Sequence, residues 1–306
     1  MTGTARATAD RVEVAAPAKL NLALLVGPCR PDGFHEIASL MVPVTLADRV
    51  VVERTPGAGL EVVCAVAPGA DNLAAKAVRE LEERLDRSFE VRVTVEKRVP
   101  TGAGLGGGSA DAAATLQALE RLFALELSPR LRYDAASALG SDVPFFLWPG
   151  PQLAMGRGQV LKAVDLPELH LVVAMPEVGL STAAVYRWRD EDAEVTLGDF
   201  APRARLLAER AQAAETAADV AALVANDLEA SVVARRPEVG ELIGVLREAG
   251  AMAAAMTGSG AAVFGLFDGE EAALRARAAA GRAWYVTDLQ PAAPHRAGAG
   301  GGRAGA

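Results

Sequence analysis

Val91-Arg-Val-Thr-Val-Glu-Lys-Arg-Val-Pro100-Thr-Gly-Ala-Gly-Leu-Gly-Gly-Gly-Ser109-Ala-Asp-Ala-Ala-Ala-Thr-Leu116 runs from a strand, through a loop, into a helix. The strand is read from Val91, Val93 and Val95 alternating with Arg92, Thr94 and Glu96. The helix, from Ser109 to Leu125, carries Ala112, Leu116, Leu119 and Phe123 on one stripe. Between them stand five glycines within seven residues: Gly102, Gly104, Gly106, Gly107 and Gly108. A backbone without Cβ atoms can turn its N–H groups inward and approach an oxyanion closely. The helix N-terminus adds unpaired amides and the positive end of its dipole. Together these features predict a polyphosphate cradle.

Other glycine loops fit less well. A Walker A loop needs a Lys after the last glycine, and none follows here. Gly102, Gly104 and Gly107 satisfy the dinucleotide pattern G-x-G-x-x-G. The acidic residue expected about 20 positions later would, however, fall near a helix end and not after a second strand. A protein-kinase loop would need His-Arg-Asp and Asp-Phe-Gly partners, and the chain has neither.

Upstream of the loop the chain reads as β-rich. Short apolar runs at Val12–Val14, Leu20–Val26, Leu40–Leu46, Val50–Glu53 and Leu60–Val66 are separated by turn residues, and Asn72–Leu85 has helical periodicity. Downstream, a helix is expected at Arg130–Leu139 and a strand at Leu169–Met175. Ala-rich helices should then fill about Arg203 to Val233, with a helix at Pro237–Ala249 and a strand at Ala261–Phe267. A helix at Glu270–Ala280 and a strand near Trp284–Asp288 complete the order. Strands cluster early and helices late, which favours an α+β fold over an alternating parallel sheet. Residues 1–10 read as a frayed leader, and the Gly/Ala-rich residues 291–306 as a disordered tail.

Composition narrows the function classes. The chain has 306 residues, 51% of them hydrophobic and 23% charged, an ordinary globular balance. Cys29 and Cys64 form no C-x-x-C pair, and His35, His170 and His295 show no metal-ligand spacing. The expectation is a reduced, cytoplasmic protein without a metal site of its own. No apolar run reaches the ~18 residues that span a bilayer, and Met1–Asp10 lacks the apolar segment of a secretory signal. A net charge of −8 speaks against a general nucleic-acid binder but allows a local site for an anionic small ligand.

The glycine loop, Pro100 to Asp111, resembles the phosphate-binding motif of GHMP kinases. Pro17-Ala-Lys-Leu-Asn-Leu22 with Arg30-Pro-Asp-Gly-Phe-His-Glu36 is similar to the N-terminal signature of one family among them, the diphosphocytidyl-methylerythritol kinases. Leu139-Gly-Ser-Asp-Val-Pro-Phe-Phe146 resembles their segment with the catalytic aspartate. Met256-Thr-Gly-Ser-Gly-Ala-Ala-Val-Phe264 resembles the third GHMP motif. The resemblance runs in order from about Val12 to Leu289. It departs at the aromatics Phe34 and Tyr186, and at Asp111, where some relatives have Asn.

The resemblance implies a two-domain α+β GHMP kinase fold. An ATP-binding domain of the ribosomal-protein-S5 type would occupy 11–163 and a substrate domain 164–290, with the active site in the cleft between them. It implies ATP with Mg²⁺, a cytidine-diphospho alcohol as the acceptor, and neither a nucleic-acid nor a membrane partner, in a monomer or weak homodimer. It makes Asp142 the general base and Lys19 its partner. From the residues alone, Ser141-Asp142-Val143-Pro144 would equally start a helix with Asp142 as its cap, and Lys19 would be a solvated strand-end lysine.

For the nucleotide, the resemblance assigns Pro100, Gly102, Gly104, Leu105, Gly106, Gly107, Gly108 and Ser109 to the phosphates, and Asn72 and Leu73 to the adenine pocket. For the acceptor it assigns Asn21, Phe34, His35, Asp142, Tyr186, Gly258 and Ser259. His35 would pair with the cytosine and Tyr186 stack on it, although Trp188 is near enough in sequence to serve instead. Asp111 either meets Mg²⁺ through water or merely favours the helix N-terminus. Thr257 to Gly260 either close the cleft or form a tight helix-to-strand turn.

Overall fold

The computed structural model describes residues 6–66 and 69–289. Among these the first half of the chain forms β1 (Arg6–Thr8), β2 (Arg11–Cys29), β3 (His35–Arg54), β4 (Leu60–Cys64), α1 (Leu73–Leu85), β5 (Val91–Glu96), α2 (Gly107–Leu122), α3 (Pro129–Leu139), β6 (Gln152–Gly156) and β7 (Val160–Ala163). The second half forms β8 (His170–Ala174), α4 (Thr182–Asp192), α5 (Leu197–Gln212), α6 (Ala217–Ala221), β9 (Ala225–Asn226), α7 (Glu229–Arg235), α8 (Pro237–Glu248), β10 (Ala253–Met256), β11 (Val263–Phe267), α9 (Glu270–Ala279) and β12 (Ala283–Thr287).

Two sheets organise these elements. The first has the order β1-β2-β3-β5-β4, with β6 and β7 extending it from the other end of β3, and β9 pairing with β2. Its backbone is the long antiparallel pair of β2 and β3, which replaces the four shorter strands expected over Val12–Glu53. Pro17 suggests a break, but register shifts at Pro17/Lys19 and Asn21/Ala23 absorb the irregularity without ending the strand. From Ala18 to Val26 every residue is buried, so this stretch is covered on both faces and shows no alternation. The leader expected over residues 1–10 is in part a strand, since Arg6–Thr8 pairs with Arg11–Glu13. Its first five residues and the tail 291–306 lie outside the described residues.

Helices α1 and α2 cover one face of the first sheet. Val91, Val93 and Val95 of β5 are buried in the same cluster as Ala77, Val78 and Leu81 of α1 and Leu116 and Leu119 of α2. The small residues of α2 let it sit so deep that Ala110, Ala112, Ala113, Ala114 and Ala118 are all buried, and not only the expected stripe. The second sheet, β10-β11-β8-β12, is antiparallel throughout. Leu171 and Val173 of β8 and Phe264 and Leu266 of β11 share a core with Leu20 and Leu22 of β2 and Leu40 of β3.

The long Ala-rich helices expected over Arg203–Val233 are three shorter ones broken by β9. Thr196 with Asp199 and Thr216 with Asp219 form capping boxes that fix two of the helix starts. Helix α4 has no counterpart in the expected elements.

Candidate active site

The strand-loop-helix unit of β5 and α2 has the form read from its residues. The chain turns through Gly102, Gly104 and Gly106, all at positive φ, and Gly106 stands at the N-cap of α2. The loop is tied down through its carbonyls: Leu105 accepts from the Lys19 amide at 2.9 Å and Ala103 from the Ala262 amide at 3.3 Å. The amides of Gly106, Gly107, Gly108 and Ser109 donate to no acceptor among the described residues. An unpaired set of N–H groups at the start of a helix can receive an anion. Gly106 also suits the crowding here, because a Cβ there would lie 3.0 Å from Lys19 Cγ and 3.1 Å from Phe146 Cζ, and those side chains would have to give way.

Lys19 sits on β2 beneath this loop and is buried. Its ammonium donates to Asn21 Oδ1 and lies 3.7 Å from Asp142 Oδ2. Burial pulls its pKa below the usual lysine range, and the neighbouring Asp142 charge opposes that fall. Asn21 is locked in turn. Its amide donates to Thr257 Oγ1 at 2.8 Å, its side chain donates to Ser39 Oγ at 2.7 Å, and Ser39 donates to the Ala23 carbonyl at 2.6 Å. Asp142 is not a helix cap: the short 3₁₀ helix Pro144–Leu147 has Val143 at that position. The Asp142 side chain is 40% exposed and faces Lys19.

A cleft of about 1090 Å³ runs past these groups. The residues assigned above to catalysis, nucleotide and acceptor all line it: Lys19, Asn21, Phe34, His35, Asn72, Leu73, Pro100, Gly102, Gly104 to Ser109, Asp142, Tyr186, Gly258 and Ser259. Thr257 and Gly260 stand behind the lining, and Ser259 shares a hydrogen bond of 2.8 Å with Thr182. Asn72 also caps α1, accepting from the Ala74 amide at 2.8 Å. Tyr186 lies beside His35 with ring centroids 5.0 Å apart. Burial, and then the Asp142 charge, push its phenol up to about 12. Trp188 does not line the cleft, and the Arg235 guanidinium lies 5.4 Å over its ring.

Residues 72–150 match the family described as GHMP kinases N terminal domain, and residues 205–286 the one described as GHMP kinases C terminal. The 4-diphosphocytidyl-2-C-methyl-D-erythritol kinase of Anaeromyxobacter dehalogenans is 44% identical over 276 residues, covering 86% of this chain and 83% of that one. The enzyme of the same name from Citrifermentans bemidjiense is 37% identical over 289 residues, covering 92% and 99%. This chain belongs to the 4-diphosphocytidyl-2-C-methyl-D-erythritol kinase family. A crystal structure of a 4-(cytidine 5'-diphospho)-2C-methyl-D-erythritol kinase, 39% identical, matches with a TM-score of 0.76 over 91% of this chain and all of that one. A homoserine kinase from Cytophaga hutchinsonii, 18% identical, matches with a TM-score of 0.74 over 93% of this chain and 97% of that one, which shows a shared fold.

Within this GHMP cleft the structure adds groups that sequence reasoning passed over. Lys97 continues the inward phase of Val91, Val93 and Val95, an unusual place for a charge. Its ammonium bridges Asp111 at 2.8 Å and Asp48 at 2.5 Å. Asp48 also accepts from the amides of Arg98 and Val99. Burial works against the Lys97 charge, but the two carboxylates outweigh it and hold its pKa above the lysine range. Burial pushes Asp111 up to about 7 although Lys97 pulls it down. Asp111 is therefore more than a surface charge near a helix end. One of its oxygens, Oδ1, is buried with no hydrogen-bond partner among the described residues.

At the other end of the cleft, Asp190 of α4 receives His35 Nε2 at 2.9 and 3.0 Å. Tyr186 and Asp190 are four residues apart, so one helix face presents both to His35. That spacing was readable once α4 was known. Arg157 and Arg187 also line the cleft, with the Arg157 guanidinium 5.0 Å over Phe34. Neither has an ion-pair partner among the described residues.

Proposed function

We propose that this chain transfers the γ-phosphoryl group of ATP to the 2-hydroxyl of 4-diphosphocytidyl-2-C-methyl-D-erythritol, a step of non-mevalonate isoprenoid synthesis in the cytoplasm. One observation carries the reading. Asp142 neighbours Lys19, which packs against the glycine loop, and its charge also reaches Tyr186 beside His35. A carboxylate so placed stands where a phosphate nest and an aromatic base pocket meet. The cleft volume also exceeds the ~300–1,000 Å³ of ordinary small-molecule sites, which suits two substrates held together.

In this mechanism the amides of Gly106 to Ser109 hold the triphosphate, and Asn72 and Leu73 border the adenine. His35 and Tyr186 hold the cytosine, while Arg157 and Arg187 offer free cations to the diphosphate beside it. Asp142 takes the proton of the tertiary hydroxyl, whose oxygen then bonds to the γ-phosphorus as the bond to the ADP oxygen breaks. Lys19 keeps Asp142 ionised and balances negative charge on the moving phosphoryl group. Asp111 Oδ1 and the Ser109 hydroxyl are suited to Mg²⁺, because a buried carboxylate oxygen without a partner lacks what a cation or its water would supply. Bound there, Mg²⁺ would neutralise charge on the phosphate oxygens.

The test is ADP release measured with the cytidine-diphospho alcohol, homoserine and mevalonate in parallel. Turnover with the first alone is expected. Equal or faster turnover with either of the others would replace this acceptor assignment.

A further inference from the structure

The hydrogen bond between His35 and Asp190 has a chemical consequence for which ring the cleft accepts. An ionised carboxylate only accepts hydrogen bonds, so the proton between the two groups belongs to His35 Nε2. Both Asp190 oxygens lie within 3.0 Å of that nitrogen, and the ring is held against Tyr186. Asp190 is itself anchored. Arg189, 4% exposed, donates to Asp190 Oδ1 at 3.2 Å and to the Val26 carbonyl at 2.5 Å. Val26 belongs to β2, so the arrangement is braced against the long strand that also carries Lys19 and Asn21.

In a neutral imidazole, a proton on one nitrogen leaves the other as an acceptor. His35 Nδ1 has no protein partner among the described residues, and His35 lines the cleft. We infer that Asp190 is a specificity-determining positioning residue, fixing the Nε2–H tautomer of His35 so that Nδ1 is an acceptor that selects a base bearing an exocyclic amino group over one bearing a carbonyl. Cytosine offers an amino donor at its 4-position and uracil a carbonyl oxygen, so an acceptor at Nδ1 pairs with the first and repels the second. A site built to satisfy one hydrogen-bonding pattern discriminates strongly, because the wrong ligand leaves polar groups unpaired. The inference rests on the cytidine-diphospho reading above and adds the residue that enforces it.

Two measurements at pH 8 test it on the full-length protein. Long-range ¹H–¹⁵N correlation spectra of histidine-labelled protein, with His35 assigned by its loss in His35→Ala, report the tautomer directly. The expected result is a protonated Nε2 and a bare Nδ1, and a protonated Nδ1 would overturn the inference without any Asp190 variant. The second measurement compares kcat/KM for the cytidine-diphospho alcohol and its uridine analogue. In Asp190→Ala the preference for cytidine should fall by roughly ten-fold, about one hydrogen bond's worth, through KM for that substrate and not KM for ATP. Asp190→Asn, whose carbonyl can accept the same proton, should recover part of it. An unchanged preference in Asp190→Ala, with wild type discriminating, would sink the role of Asp190 alone. Equal use of both substrates by wild type would instead undo the cytosine reading.

Discussion

Gly104 and Thr257 approach so closely that a Cβ on Gly104 would lie 2.6 Å from the Thr257 carbonyl oxygen. The contact joins the glycine loop of the first half of the chain to the glycine turn of the second. It is reciprocal, since a Cβ on Gly258 would lie 2.9 Å from the Gly104 carbonyl oxygen and 3.2 Å from Lys19 Nζ. The two glycine motifs thus interlock around the ammonium of the site.

Gly104→Ala should therefore harm the protein far more than Gly102→Ala. Both glycines have positive φ, which costs an L-residue about 1–2 kcal/mol. Nothing lies within 4 Å of a Cβ at Gly102, whereas Gly104 meets backbone that cannot yield. Denaturant unfolding should show a loss near ~1 kcal/mol for Gly102→Ala and at least ~2 kcal/mol for Gly104→Ala. Nucleotide affinity should fall only in the second. Equal losses would mean that the turns part readily.

Asp142→Asn should lower kcat by roughly 10²–10⁴-fold while ATP still binds, because the amide keeps the shape and loses the base. Lys19→Met, which keeps the stem, should lower kcat by about 10²-fold or more through the missing positive charge. Rapid-quench measurement of the chemical step, with calorimetry of ATP binding, checks both. A near-normal chemical step in Asp142→Asn would remove its role as base.

Much of this site was legible because its chemistry is written in local runs. Five glycines between a strand and a helix have few uses, and Lys19 and Asn21 share one side of a strand. What escaped was carried by long-range pairing or by helices without an apolar period. Helix α4 buries only Val185 and Arg189, so no hydrophobic stripe marks it, yet it brings Tyr186 and Asp190 to His35. The joining of four expected strands into β2 and β3 depends on bulges that no propensity signals. The salt-bridged cluster of Lys97, Asp48 and Asp111 unites residues 49 and 14 positions apart, visible only once β3, β5 and α2 are packed.

That cluster should make stability depend on pH. Asp111 has its folded pKa raised from 3.8 to about 7, chiefly by burial. The folded state therefore holds a proton that the unfolded state releases between these values. The associated stability is fully present below pH 4 and is lost as pH rises toward 7. Asp111→Asn cannot titrate, so its stability relative to wild type should improve from pH 5 to pH 8, by up to about 2–3 kcal/mol. Urea unfolding without nucleotide and with a chelator present reads this difference. A constant difference would show that Lys97 already neutralises the carboxylate over the whole range.

The choice between Tyr186 and Trp188 turns on which ring faces the cleft. Tyr186 lies 5.0 Å from the His35 ring and lines the cavity, whereas Trp188 points into contact with Arg235. Stacking of a base on an aromatic side chain contributes ~1–3 kcal/mol. Tyr186→Ala should accordingly raise KM for the cytidine-diphospho alcohol about ten-fold or more, with KM for ATP unchanged. Tyr186→Phe keeps the ring and should retain most of the affinity, because stacking uses the π face and not the hydroxyl. Trp188→Ala should leave KM for this substrate near wild type while lowering thermal stability, since Trp188 packs against the buried cluster that holds Val185, Val232 and Ile243. Steady-state kinetics on the three variants, beside their melting temperatures, separates ring stacking from fold support. A larger KM effect in Trp188→Ala than in Tyr186→Ala would reverse the assignment.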